Sequence, residues 1–215
     1  MFATKNRHNI MRKEIVLTIL ASLVLSTVAM AQEDVAEQEE AKAMPTVGDV
    51  YTFADGSQGV VFYTDGEHGL AVSMKGTEGK WCSGKFAKKD IYDLPNRCDA
   101  DPVLKQIGEG AAYSESMLEA VQSPIVAWCY SLGQGWYLPS ANELSHLLYF
   151  ANDSKVHGGV ISKSLRKNGG HALQKGWYWS STECSRDRAV NVSEEGDAST
   201  EEKTTKNLVR AVREF

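Results

Sequence analysis

Gly59 to Lys75 reads GVVFYTDGEHGLAVSMK. Two β-branched and aromatic runs flank a polar stretch that holds Asp65-Gly66 and His68-Gly69. Glycine tolerates the positive φ that tight turns demand, so the spacing predicts an antiparallel hairpin. Upstream, VGDVYTF is a third run of the same kind, set off by Asp55-Gly56. Residues 47–75 therefore read as a three-strand meander of VGDVYTF, GVVFYT and LAVSMK.

Beyond the meander the pattern changes. Gly76 to Asp101 has weak periodicity and reads as a long loop pinned by a disulfide through Cys82 and Cys98. A short helix is expected over 115–121. Ser123-Pro124 has the form of a helix start, serine as N-cap and proline at the first helical position. Val126, Cys129 and Tyr130 then fall on one face, and Gly133 and Gly135 end the helix. Trp136-Tyr137-Leu138 is extended, because the residue before Pro139 avoids the helical region. Trp136 and Leu138 are expected in the core. Ser140 and Glu143 form a capping box, followed by a stripe of Leu144, Leu147, Leu148 and Ala151. A further short helix holds Ile161 and Leu165 and stops at Gly169-Gly170.

The chain end returns to strands. GWYWSST is rich in aromatics, and alternation places Trp177 and Trp179 on one face and Tyr178 on the other. Ala189 to Val192 is a short strand. Leu208 to Phe215 alternates, with Val209, Ala211 and Phe215 on one side and Arg210 and Glu214 on the other. Arg210 and Arg213 read as carboxylate partners that lock the sheet.

The 215 residues carry 42% hydrophobic and 24% charged side chains, a composition that folds around a core. The first 31 are expected to be a secretory signal: Arg12 and Lys13, then the apolar run IVLTILASLVL, then Ala29-Met30-Ala31 as a cleavage site. That run is too short to span a bilayer, which takes about 20 apolar residues. Cleavage leaves 184 residues and removes Lys5, Arg7, Arg12, Lys13 and Glu14, so the net charge moves from −5 to −8. Residues 32–46, with Glu33, Asp34, Glu37, Glu39 and Glu40, read as an acidic flexible linker, and 47–215 as one folded domain. The acidic balance argues against nucleic acid as a partner. No membrane span is expected after cleavage, and the protein is expected to be periplasmic, cell-surface or secreted.

An even cysteine count in an exported chain favours disulfides. Of three pairings, Cys82–Cys98 and Cys129–Cys184 are favoured, the first closing a local loop and the second tying a helix to a late strand. No CxxC pair or zinc-type Cys/His spacing is present, so no metal and no cofactor are expected.

In order along the chain, GVVFYTDGEHGLAVSMK, GWYLPSANEL, WYWSSTE and VRAVREF resemble the motifs of the Lcl C-terminal domain family. That family is similar to the Fibrobacter-type major paralogous domains, and both are grouped with C-type-lectin-like folds. The resemblance spans about residues 47–215. It implies an α+β domain: a mixed antiparallel sheet, two or three helices, long loops, and N- and C-terminal strands side by side. It also implies an exported bacterial protein. Calcium-dependent lectins carry Glu-Pro-Asn or Gln-Pro-Asp in a loop and Trp-Asn-Asp on a strand. Here those tripeptides are absent and Trp179-Ser180-Ser181 stands in the strand position, so binding without calcium is expected. The reactive cysteine pair of formylglycine-generating enzymes, which share the broad fold, has no match.

Charge segregation is the most unusual local feature. Ser154 to Thr182 lacks Asp and Glu but holds Lys155, Lys163, Arg166, Lys167 and Lys175, plus His157 and His171. Glu183 to Glu202 is acidic, with Arg186 and Arg188 as its only cations. A basic loop beside an aromatic strand could recognise an anionic glycan: Lys163, Arg166, Lys167 and Lys175 would supply charge-assisted hydrogen bonds, His171 a further ligand contact, and an exposed Tyr178 or Trp177 a stacking ring. The plainer alternative is that the two segments face each other or are simply solvated. The chain has no G-x-S-x-G, H-E-x-x-H or Walker loop, and its histidines are scattered. The sequence thus reads as a non-catalytic binding module for a glycan or other surface macromolecule, or as a structural or protein-interaction component of the bacterial envelope. Its assembly state is open.

Overall fold

A computed structural model of the protein describes residues 44–91, 108–152 and 159–215. The meander forms as its turn signals require: β1 (Val50–Thr52), β2 (Gln58–Thr64) and β3 (Gly69–Lys80), joined through Gly56 and Gly66, both at positive φ. β3 runs on through Lys80, so the first part of the expected loop is strand. Trp81 and Cys82 then enter the core, and Gly84–Phe86 makes a single 3-10 turn.

Four α-helical segments follow among the described residues, those the residue pattern predicts and one more than the family resemblance implies. These are α1 (Gly110–Val121), α2 (Pro124–Tyr130), α3 (Ala141–Ser145), which continues as a π-helical stretch His146–Ala151, and α4 (Val160–Lys167). α2 starts where Ser123 Oγ accepts from the Val126 amide at 3.5 Å. Its Val126 and Cys129 are buried, but Tyr130, expected on the same face, is exposed. α3 carries the full capping box: Ser140 Oγ accepts from the Glu143 amide at 3.3 Å, and Glu143 Oε2 accepts from the Ser140 amide at 2.7 Å. Of its expected stripe, Leu144, Leu147 and Leu148 are fully buried, and the side chain of Ala151 lies outside the described residues.

The last four strands are β4 (Trp177–Glu183), β5 (Arg188–Ser193), β6 (Ala198–Glu202) and β7 (Lys206–Glu214). β6 was not anticipated, since ASTEE has no apolar alternation and pairs as a polar edge strand. The sheet has seven strands in the order β1-β2-β3-β7-β4-β5-β6. Every neighbouring pair is antiparallel except β4 and β7, where Tyr178 stands opposite Leu208 in a parallel contact. The fold is therefore α+β with a mixed sheet. The C-terminal strand lies against β3, not β1, and joins the meander to the β4–β5–β6 hairpins.

Both faces of the centre are covered, and strand alternation divides the core. Val209, Ala211 and Trp179 pack on one side with Trp81, Trp136, Met117 and Val121. Val212 and Tyr178 pack on the other with Leu144, Leu147, Leu148 and Leu165. Gly59 permits this closeness, since a Cβ there would lie 2.9 Å from the Trp136 ring and the Val72 carbonyl. At the chain end Phe215 stacks on Tyr51 with ring centroids 4.1 Å apart, and its amide and carbonyl pair with Gly69 at 3.0 Å. The described residues belong to one unit, Met44–Phe215.

Candidate interaction surface

The basic segment becomes an outward-facing platform. On α4, Ile161 and Leu165 at i and i+4 are buried, which leaves Lys163, Arg166 and Lys167 on the solvent side. Gly169, at φ 79°, ends the helix. The Gly170 amide donates to the Leu165 carbonyl at 2.8 Å and the Gly169 amide to Arg166 at 3.4 Å, the double closure of a Schellman end.

The loop after α4 is fastened at several places. The His171 amide donates to the Met74 carbonyl at 2.8 Å. The Gly176 amide donates to Glu194 Oε2 at 2.8 Å. Tyr178 closes the loop onto itself: its hydroxyl donates to the Gln174 carbonyl at 2.8 Å and accepts from the Gln174 amide at 2.6 Å.

Tyr178 is thus buried at 1% exposure, which corrects its expected role as a stacking ring. Burial also pushes its hydroxyl pKa up. The neighbouring Trp177, at 39% exposure, is the ring that faces solvent. Lys163, Arg166, Lys167, His171 and Lys175 are all exposed, and among the described residues none of these side chains makes an ion pair or hydrogen bond. Lys155 and His157 lie outside the described residues. The acidic half is partly committed elsewhere, Glu194 to the loop amide and Glu183 to the interior.

Arg210 supplies what the sequence reading lacked. It sits in β7 between Val209 and Ala211, is 2% exposed, and has no carboxylate partner among the described residues. Its guanidinium donates to the carbonyls of Ser73 at 3.0 Å, His171 at 2.6 Å and Ala172 at 2.8 Å. The expected carboxylate lock is therefore corrected at this residue: backbone dipoles, not an acid, hold the charge. Burial lowers its pKa, and a guanidinium stays charged in proteins. Arg213 does pair with an acid, donating to Asp55 Oδ2 at 2.8 Å and lying 3.9 Å over the Phe53 ring. Hydrogen bonds from Ser57 and then Arg213 bring the Asp55 pKa down to about 2.

Two other buried polar centres are closed structural knots. Glu183 pairs with Lys203, and both are essentially inaccessible. Glu183 also accepts from the Ile91 amide at 3.1 Å, while Lys203 donates to the carbonyls of Lys89 at 3.0 Å and Arg186 at 2.9 Å. Burial raises the Glu183 pKa against the opposing pull of Lys203. Glu143 accepts from the Gly108 amide at 2.8 Å and the Tyr137 hydroxyl at 3.2 Å besides capping α3, and burial raises its pKa.

The cysteines differ from expectation. Cys82 and Cys129 are free and buried, so neither Cys82–Cys98 nor Cys129–Cys184 forms. Each thiol is embedded in the tryptophan-rich side of the core, and burial pushes both pKa values up. Cys184 takes part in a disulfide, and Cys98, the other half of the expected local pair, lies outside the described residues.

No protein-family model matches the sequence, and no curated protein matches it. Among solved structures, the chain is similar to a fimbrial protein from Bacteroides ovatus ATCC 8483, with a TM-score of 0.52 and 20% identity. The match covers 80% of this chain and 49% of that one, so the chain spans about half the length of that protein. At this identity the likeness is one of fold.

Proposed function

We propose that the chain is an exported, non-catalytic interaction domain of the bacterial envelope, with the C-type-lectin-like fold that its Lcl-type motifs imply. The observation that carries this reading is the fold shared with a fimbrial protein. The signal-like N-terminus agrees with it. So does the use of the most buried acids as fasteners of backbone amides, where they stiffen the fold. The test is to tag the chain in its host. Antibody should reach the tag on intact cells, and cross-linking should shift the chain into a larger envelope complex. Retention in the cytoplasm, or a monomer that resists every cross-linker, would refute the proposal.

A second reading names an anionic glycan as the partner, bound without calcium. It rests on four cations of the α4 platform, Lys163, Arg166, Lys167 and Lys175, which have no partner among the described residues, with His171 and the exposed Trp177 nearby. Such heads are free to make charge-assisted hydrogen bonds to sulfate or uronate groups. On a glycan array, changing Lys163, Arg166 and Lys167 together to Ala should abolish labelling of acidic glycans. Unchanged labelling would exclude this surface.

A further inference from the structure

β3 is 12 residues long, but β2 pairs only with its first part, Gly69 to Ser73. On the other side β7 continues beyond the bulge, from Gly76 opposite Arg210 to Lys80 opposite Lys206. Gly76–Lys80 therefore has a strand on one side and, among the described residues, none on the other. Such a half-paired strand retains main-chain groups that a further extended chain can pair.

Two observations at the same place say what kind of chain fits. A cavity of about 240 Å³ opens at the corner where β2 begins and β3 leaves it, lined by Gln58, Ser73, Met74, Lys75, Leu132 and Trp136. Its volume and mainly apolar walls suit one aliphatic side chain. The second observation is charge. Lys80 and Lys206 are direct cross-strand partners, an arrangement that like charges disfavour. Lys206 reaches Glu78 at 3.8 Å, whereas Lys75 and Lys80 are exposed and have no ion pair among the described residues. A carboxylate arriving beside Lys80 would relieve this excess, and a second could reach the exposed Lys75 at the mouth of the cavity. The same lysines would repel a basic strand.

We propose that the Gly76–Lys80 edge accepts an acidic, extended segment of a partner protein as an added strand, with one apolar side chain of that segment in the corner cavity. The inference rests on the reading of the chain as an interaction domain and names the partner's chemistry.

The probe is a short synthetic peptide alternating glutamate with valine and leucine, titrated into the full chain with amide hydrogen exchange as a second readout. Binding should saturate and slow exchange over Gly76–Lys80. Changing Lys75 and Lys80 to Glu should weaken it roughly tenfold or more. Prolines at two consecutive central positions of the peptide should abolish it, because alternate amides of an added strand face β3 and one of the two is always a required donor. Equal binding of the proline peptide to the unaltered chain, absence of binding, or protection confined to other amides would overturn the proposal. The proline comparison needs no variant of the protein, so it decides even where the lysine variant misfolds. Should the peptide fail while the tagged chain is surface-exposed and cross-linked, the docking edge is wrong and the interaction reading stands.

Discussion

Arg210 shows how one residue joins the two halves of the sheet to the loop that carries the basic platform. A guanidinium presents five N–H donors in a fixed plane, which suits several carbonyls converging from different segments. Ser73 belongs to β3, and His171 and Ala172 to the loop after α4, so one side chain fixes both. Gly76 makes the room, since a Cβ there would approach Arg210 Nε to 2.8 Å. Arg210→Met keeps much of the volume but leaves buried carbonyls without donors, and should cost about 3 kcal/mol or more in urea unfolding. It should also speed trypsin cleavage after Lys167 and Lys175 in the folded chain, because the loop loses its anchor. Wild-type stability with unchanged cleavage would show that the loop is held by its other bonds alone. Alternation along LVRAVREF already gave Arg210 the face opposite Val209 and Ala211. The sequence alone could not say that this face is buried too, because the layer that covers it comes from α3 and α4.

At the scale of elements, the α3 start was readable because its signal is local: Ser140 and Glu143 satisfy each other's amides within one turn. The reach of Glu143 was not, since its other partners are Tyr137 and Gly108, the latter 35 positions away. The two members of the box should therefore differ. Ser140→Ala removes one cap and should cost about 1 kcal/mol. Glu143→Ala strips the acceptor from several amides and the Tyr137 hydroxyl and should cost about 2–3 kcal/mol. Its titration gives an independent check. Burial raises the Glu143 pKa above its unfolded value. Between those two values the folded chain keeps a proton that the unfolded chain has released, so this group stabilises the fold as pH falls through that window. Glu143→Gln should flatten that rise in unfolding free energy. An identical pH profile would mean that Glu143 carries no such linkage. Glu183, also raised by burial, contributes in the same direction.

For the whole molecule, the meander, the capped helices and the closing strand follow from short-range pattern, and so do the exposed cations of α4. The β4–β7 contact does not, because a parallel pairing between strands separated by two hairpins leaves no local periodic mark. Disulfide pairing failed for the same reason, as it depends on which elements the topology brings together. The folded core places two of the four cysteines where oxidation cannot reach them. Cys82 and Cys129 are at 0% exposure, and their raised pKa values keep the reactive thiolate scarce. Cys184 is bonded, and with those two free, Cys98 is the one intramolecular partner the sequence leaves for it. Alkylation of the native chain should therefore label no cysteine, and alkylation after unfolding without reductant should label Cys82 and Cys129. Peptide mapping under non-reducing conditions should recover a Cys98–Cys184 crosslink. Rapid labelling of Cys82 in the native chain would mean that the Trp81–Lys203 side of the core opens readily. A Cys82–Cys129 crosslink would mean that the tryptophan-rich layer packs differently from the arrangement described.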